Sequence, residues 1–280
     1  MSEDNIDFND LRKRAVSQPL VNDKFTADPS AHVFDGKIYI YPSHDIDAGI
    51  PFNDNGDHFG MRDYHAYTMK SPDDKAAVDL GKILDIDDVP WAKRQMWAPD
   101  IARKGDKYYF YFPAKDKDDI FRIGVAVGDS PGGPFIPDPD PIKGSYSIDP
   151  AVFNDNGKYY MYFGGLWGGQ LQKYRKNTYS PENELRRDDE FAFGPLVSEM
   201  SDDMRSFSSS PKEIIIQDED GNSLLAGDNN RRYFEGPWMH KYNEKYYLSY
   251  STGDTHFICY ATADNPTGPF KYTGKILEPV

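Results

Sequence analysis

The chain has 280 residues, 15% of them aromatic, with 23 glycines, 21 prolines and a formal charge of −14. So many turn formers beside so many aromatics suit an all-β chain, and the surplus of acid argues against a nucleic-acid backbone or an anionic membrane surface as partner. No apolar run is long enough to span a bilayer and the opening MSEDNIDFNDLRKRAV lacks the apolar core of a secretion signal, so the expected address is cytoplasmic.

Residues 1–22 are polar and read as an N-terminal arm. From there a unit recurs four times in a fixed register: Pro29, Pro99, Pro150 and Pro237 each stand eight residues before a lysine, at Lys37, Lys107, Lys158 and Lys245. Each unit reads as a short apolar strand, a tight polar turn (DGK, KGDK, DNGK, NEK) and a strand rich in Tyr and Phe (IYIYP, YYFYF, YYMYF, YYLSY). Asp-Gly and Asn-Gly between alternating runs predict hairpins. A third strand closes at least two units, in RIGVAVGDSPGGPF and FICYATADNPTGPF, and is fainter in HAYTMKSPDD. Antiparallel units repeated at such intervals predict the blades of a β-propeller, and no linker interrupts residues 23–280, so they read as one domain. Two insertions stand out, His44 to Asp63 and the polar run from Tyr179 to about Ser210; after the second, Lys212 to Asp228 reads as a hairpin on the outer edge of the third blade.

In chain order, the residues before the four prolines are Asp28, Ala98, Asp149 and Gly236, with Glu235 one further back in the last unit. The start of an inner propeller strand faces the mouth of the central channel, so acids there converge from different blades. A lone Asp-Pro would simply begin a strand; recurrence in register favours a site. The second unit replaces the acid by Ala98 and places Trp97 beside it, which reads equally as a core tryptophan or as an indole for stacking on a sugar ring. Asp100 points the other way by strand alternation and reads as structural. The glycines of GGLWGG, Gly164 to Gly169, permit either close approach to a ligand or a bulge. Glu235 is poorly placed for a surface ion pair, although Arg231 and Arg232 are near enough in sequence to partner it. The six histidines show no tight ligand pair, and the acidic stretches Asp45 to Asp57 and Asp116 to Asp119 read as solvated loops. Cys259, the single cysteine, excludes an intrachain disulfide and reads as a buried, inert thiol in the strand FICYATA.

Four blocks, ADPS at Asp28, WAPD at Trp97, SIDPAVF at Asp149 and FEGPW at Glu235, in this order and spacing, resemble the motifs of glycoside hydrolase family 43 over Asp28 to Phe270. MRDYHAYTM, GDNNRRYFEGPW and YSTGDTH look most like its β-xylosidase branch. The resemblance implies a five-bladed β-propeller that hydrolyses xylose- and arabinose-containing plant polysaccharides with inversion. Carried over position by position, it implies Asp28 as general base, Glu235 as general acid, Asp149 as the carboxylate that orients the acid and adjusts its pKa, Trp97 at the floor of the sugar pocket and Ala98 leaving room for the ring. It implies no cofactor for the chemistry and allows a structural calcium ion in the central channel.

Only four units are found, and the chain ends at GKILEPV where a fifth blade should begin, so the expectation is a five-bladed propeller with its fifth blade incomplete. Such a ring exposes two sheet edges, which the N-terminal arm or a second copy would cover. The function expected is exo-hydrolysis of terminal β-1,4-linked D-xylose from short oligosaccharides, with α-L-arabinofuranosidase or arabinan-degrading activity as the near alternative. A propeller that binds carbohydrate without cutting it is the alternative of another class. A retaining mechanism stays open, because it turns on a carboxylate separation that sequence does not give.

Overall fold

The computed structural model describes residues 13–15 and 18–279, so most of the arm expected over residues 1–22 lies outside the described residues. Four mainly antiparallel sheets follow one another along the chain, each built outward from an inner strand. The first blade is Phe25–Phe34, Lys37–Asp47, Asp63–Met69 and Val78–Asp85, with Phe59–Met61 paired to the second strand. The second is Asp100–Lys104, Lys107–Asp116, Phe121–Gly128 and Ile136–Pro137, with Ala92–Arg94 added to its second strand. The third is Ala151–Asp155, Lys158–Phe163, Leu196–Glu199 and Lys212–Glu213; the fourth is Glu235–Tyr242, Lys245–Ser251, Ile258–Ala263 and Phe270–Leu277. Among the described residues four blades of a β-propeller are evident, and no helix is long and apolar enough to cross a membrane.

The turns form as their residues dictate. Asp35 and Gly36 take φ of 50° and 76°, and Asn156 and Gly157 take 54° and 92°. Positive φ at both central residues gives the primed turn whose twist matches the flanking strands.

The aromatic strands explain how blades are held to each other. Tyr41, Tyr111 and Tyr162 occupy the same place, four residues after the repeated lysine, and each is fully buried. Their hydroxyls donate to main-chain oxygens of the next blade, Tyr41 to Pro131 at 2.7 Å, Tyr111 to Met204 at 2.9 Å and Tyr162 to Pro266 at 2.7 Å. Each ring supplies apolar area to the inter-blade core while its one polar atom is satisfied at the far edge, a net gain of about 1 kcal/mol for the hydrogen bond over the burial itself. In the fourth blade this place is Ser249, which instead bonds within its own sheet to the Trp238 oxygen.

Two expectations are corrected. The run from Tyr179 to about Ser210 is not all insertion, because Leu196–Glu199 inside it is the third strand of the third blade. Its apolar signal is only four residues long and stands after a long polar excursion. The segment Lys212 to Asp228 is not one hairpin on one blade. Lys212–Glu213 completes the third blade, whereas Ile216–Gln217 runs parallel to Phe270–Leu277 of the fourth. The buried Ile214 and Ile216 explain the crossing, since both belong to the core that the two blades share.

Candidate active site

The repeated proline register becomes a repeated backbone distortion. In the first blade Ala27 pairs with Ser43 and Ser30 with Tyr41, so Asp28 and Pro29 bulge opposite the single residue Pro42. In the fourth, Glu235 pairs with Ser251 and Trp238 with Ser249, so Gly236 and Pro237 bulge in the same way. The first bulge residue is left-handed each time, with φ of 45° at Asp28 and 64° at Gly236, and Asp149, in the same register, has φ of 57°. A bulge re-aims a side chain, and left-handed backbone at a residue other than glycine stores strain that the surrounding sheet must hold. Asp28 and Asp149 project from the strained position itself. Glu235 projects from one residue earlier on a longer side chain, which is why the fourth acid is offset in sequence.

The bulges also tie the acids together. The Gly236 N–H donates to Asp149 Oδ2 at 2.9 Å, linking the third and fourth blades. GGLWGG packs beneath them: a Cβ on Gly165 would stand 2.7 Å from Ile148 Cδ1 and 3.2 Å from Glu235 Cβ. These glycines therefore admit the protein's own neighbours. Arg231 pairs with Asp228 at 2.6 Å and Glu219 at 3.3 Å, and Arg232 bonds Asn229 at 3.1 Å, so neither neutralises Glu235. Among the described residues no cation pairs with Asp28, Asp149 or Glu235.

Three carboxyls without a cation cannot all ionise cheaply. Burial, then the charge of Asp28, pushes Glu235 up to about 7 from an ordinary 4.5. Burial, then Glu235 and Asp28, pushes Asp149 well up, against the pull of the Gly236 N–H. Burial and then Asp45 raise Asp28, the most solvent-exposed of the three. Asp45, beside the site, had no signal in the repeat register. The hydrogen bond from Gly236 favours the ionised form at Asp149, whereas no hydrogen bond reaches the Glu235 carboxyl among the described residues and burial favours its protonated form.

This has a consequence for stability. A carboxyl whose pKa is raised on folding binds its proton more tightly folded than unfolded, so its stabilising contribution is full below about 4.5 and is lost as pH rises through about 7. Glu235→Gln should therefore unfold at higher urea than the wild type at pH 8, by on the order of 1–3 kcal/mol, and the gap should close at pH 4.5. Urea titrations at the two pH values test this; a gap that is absent, or the same at both, would refute the account.

Trp97 is half-buried, its Nε1 donating to the Phe59 oxygen at 3.1 Å and its ring 4.7 Å from that of Phe121. Ala98 follows it, also half-buried. The stretch Asp45 to Asp57 is exposed over most of its length, as expected of a solvated segment, but it is anchored at its far end. Gly56 lies against the Trp97 ring, the Gly56 oxygen accepts from Gln95 Nε2 at 2.7 Å, and Asp57 pairs with Arg94 at 2.8 Å and the buried Lys115 at 3.4 Å. Further along, the Asn55 main chain is so near Gly168 that a Cβ there would stand 2.7 Å from the Asn55 oxygen. The loop thus crosses from the first blade to the second and third and walls one side of the site. Asp116 to Asp119 is likewise held, Asp119 by Arg94 at 2.9 Å and Asp116 by Arg122 at 3.1 Å. Arg94 and Lys115 lie too far from Asp57 in the chain to leave a local signal.

Asp100 is structural as expected: it is 1% exposed, meets His32 Nε2 at 2.6 Å and accepts the Val152 N–H at 2.6 Å, joining three blades. Along the channel the inner strands enclose a cavity of about 500 Å³ whose polar groups include His32, Arg103, Asn154, His240 and Lys241. Calcium takes six to eight oxygen ligands. A wall with two cations, a histidine engaged by Asp100 and no carboxylate does not make that cage from the described residues.

Four-stranded blades, three of them with an acid at the start of the inner strand, define a β-propeller glycoside hydrolase. Residues 17–277 match the model of glycosyl hydrolases family 43, and the chain belongs to that family. A xylosidase/arabinosidase of Bacteroides ovatus is 58% identical over 262 residues, covering 93% of this chain and 81% of the relative. A β-xylosidase/α-arabinofuranosidase from a compost microbial metagenome, solved with xylotriose in a calcium-free form, superposes with a TM-score of 0.92 at 64% identity, covering 95% of this chain and 82% of that one. A family 43 enzyme from Xanthomonas citri, solved with xylotriose, gives 0.91 at 55% identity, with 97% and 80% covered.

Proposed function

We propose that the protein is an inverting exo-glycosidase that removes terminal β-1,4-linked D-xylose from short xylo-oligosaccharides and also cleaves α-L-arabinofuranosides. The observation that carries this reading is the set of three unpaired carboxyls at the mouth of the channel, one of them raised to about 7. Glu235 is the general acid that protonates the leaving oxygen; Asp28 is the general base that activates water on the far face of the ring; Asp149, bonded to the Gly236 N–H next to Glu235, orients the acid and adjusts its pKa. Trp97 supplies an apolar face for the sugar and Ala98 the space beside it. The loop that walls one side of the site favours short chains over polymers. The two substrate classes in the names of similar proteins support the dual specificity.

The test is hydrolysis of 4-nitrophenyl β-D-xylopyranoside, its α-L-arabinofuranoside counterpart and xylotriose, with the first product followed by proton NMR. Both aryl glycosides should turn over, and the first sugar released from xylotriose should be the α anomer of xylose. The β anomer would overturn inversion, and no turnover on any of the three would overturn the glycosidase.

A further inference from the structure

Two imidazoles and a carboxylate meet on the first blade. Tyr41 and Tyr64 reach from this blade to the second, through the Pro131 and Trp97 oxygens. Strand alternation turns His44 and His65 to the opposite face. The strands Lys37–Asp47 and Asp63–Met69 pair with Ile38 across from Met69 and Ile40 across from Tyr67. Past Ile40 the pairing passes to Phe59–Met61, with Asp45 across from Met61, which brings His44 beside the start of the strand Asp63–Met69. All three polar side chains share one face, and the ligand atoms they offer lie within 4.8 Å of one another.

The imidazoles are already oriented. His44 Nδ1 lies 2.5 Å from Asp63 Oδ1, and His65 Nδ1 lies 3.0 Å from both oxygens of Asp79, itself held by Lys24 at 2.9 Å. Asp79 on His65 Nδ1 fixes that ring's tautomer and presents the lone pair of Nε2, the arrangement by which proteins prepare histidine as a metal ligand. His44 Nδ1 and Asp63 Oδ1 already face each other, and an ion would take the place of the proton between them. Lys82 stands 4.0 Å from Asp63 but is engaged by Asp85 at 2.5 Å. The residues are half-buried, so an ion can enter and be partly shielded.

We propose that His44, Asp63 and His65 bind a first-row divalent cation of the zinc class, with water completing the shell. Two nitrogens and one oxygen suit zinc, cobalt or nickel, whereas calcium asks for oxygen alone. Zinc ligands at 2.0–2.1 Å stand roughly 3.3 Å apart in a tetrahedron, so these side chains need only close by about an ångström or so. The placement also gives the ion a task. His44 and Asp63 are the two ends of the insertion whose far part packs on Trp97 and Gly168. An ion between them staples the stem of the loop that walls the site. The six histidines show no ligand pair along the chain because His44 and His65 are brought together only when their strands meet.

The test is calorimetric titration of the chelator-stripped full chain with zinc chloride, in wild type, His65→Asn, His44→Asn and Glu235→Gln, with thermal unfolding in parallel. Asparagine at 65 keeps a donor for Asp79, so His65→Asn should fold as the wild type does. The expected result is one zinc site in wild type and Glu235→Gln, weakened about 100-fold or more in both histidine variants, and a zinc-dependent rise in unfolding temperature confined to the forms that bind. Unchanged affinity in both histidine variants would overturn the site, as would no binding by the wild type. Binding lost in Glu235→Gln and kept in the histidine variants would move the ion to the channel-mouth acids and overturn it equally.

Discussion

Glu235→Gln should lower kcat on xylobiose by about 10²–10⁴, the usual worth of a positioned general acid, and should lower it much less on 4-nitrophenyl β-D-xylopyranoside. Glutamine keeps the size and shape of the side chain that stands over Gly165 but carries no acidic proton. A sugar leaving group must be protonated as it departs, whereas 4-nitrophenolate leaves readily without help. The ratio of the two losses therefore reads the acid role itself, and a merely damaged site would lower both alike. The pH profile gives a second readout. With Glu235 pushed up to about 7 by burial and by Asp28, the wild-type kcat/KM should fall as pH rises through that region, and Glu235→Gln should lose that limb. Equal losses on both substrates with the alkaline limb intact would remove Glu235 from the role.

How far these conclusions were legible beforehand depends on the range of the interactions behind them. The hairpins and the register of the acids are local, written in Asp-Gly and Asn-Gly turns and in the spacing of proline to lysine, and they could be read directly. The left-handed bulge is half local: Asp28-Pro29 and Asp149-Pro150 mark the place, but that Gly236 rather than Glu235 takes the strained position follows only from the strand pairing. What could not be read are contacts between elements far apart in the chain. Asp57 with Arg94 and Lys115, Asp45 near Asp28, and His44 with His65 all arise when strands or blades come together. The third strand of the third blade was hidden for a different reason. Four residues of weak apolar signal after a long polar run look like loop until a partner strand supplies their hydrogen bonds.

Asp28→Asn should abolish the other half of the chemistry, with kcat falling by about 10³–10⁴ on xylobiose and on 4-nitrophenyl β-D-xylopyranoside alike. A base that activates water acts on the nucleophile, so its loss is indifferent to how well the leaving group departs, which is the opposite of the Glu235→Gln pattern. Asparagine is the right replacement because Asp28 sits at φ of 45°, a conformation asparagine tolerates and alanine does not, so the bulge and the fold are kept. KM should change little, since the strand that carries residue 28 is undisturbed. Its environment makes a further demand that can be measured. Turnover requires ionised Asp28, and burial together with Asp45 raises its pKa, so kcat/KM should climb with pH along an acid limb that Asp45→Asn moves to lower pH. The sign is fixed: removing a negative neighbour makes the ionised base easier to form. An acid limb that stays in place in Asp45→Asn, or a leaving-group dependence in Asp28→Asn, would assign the base to another carboxylate.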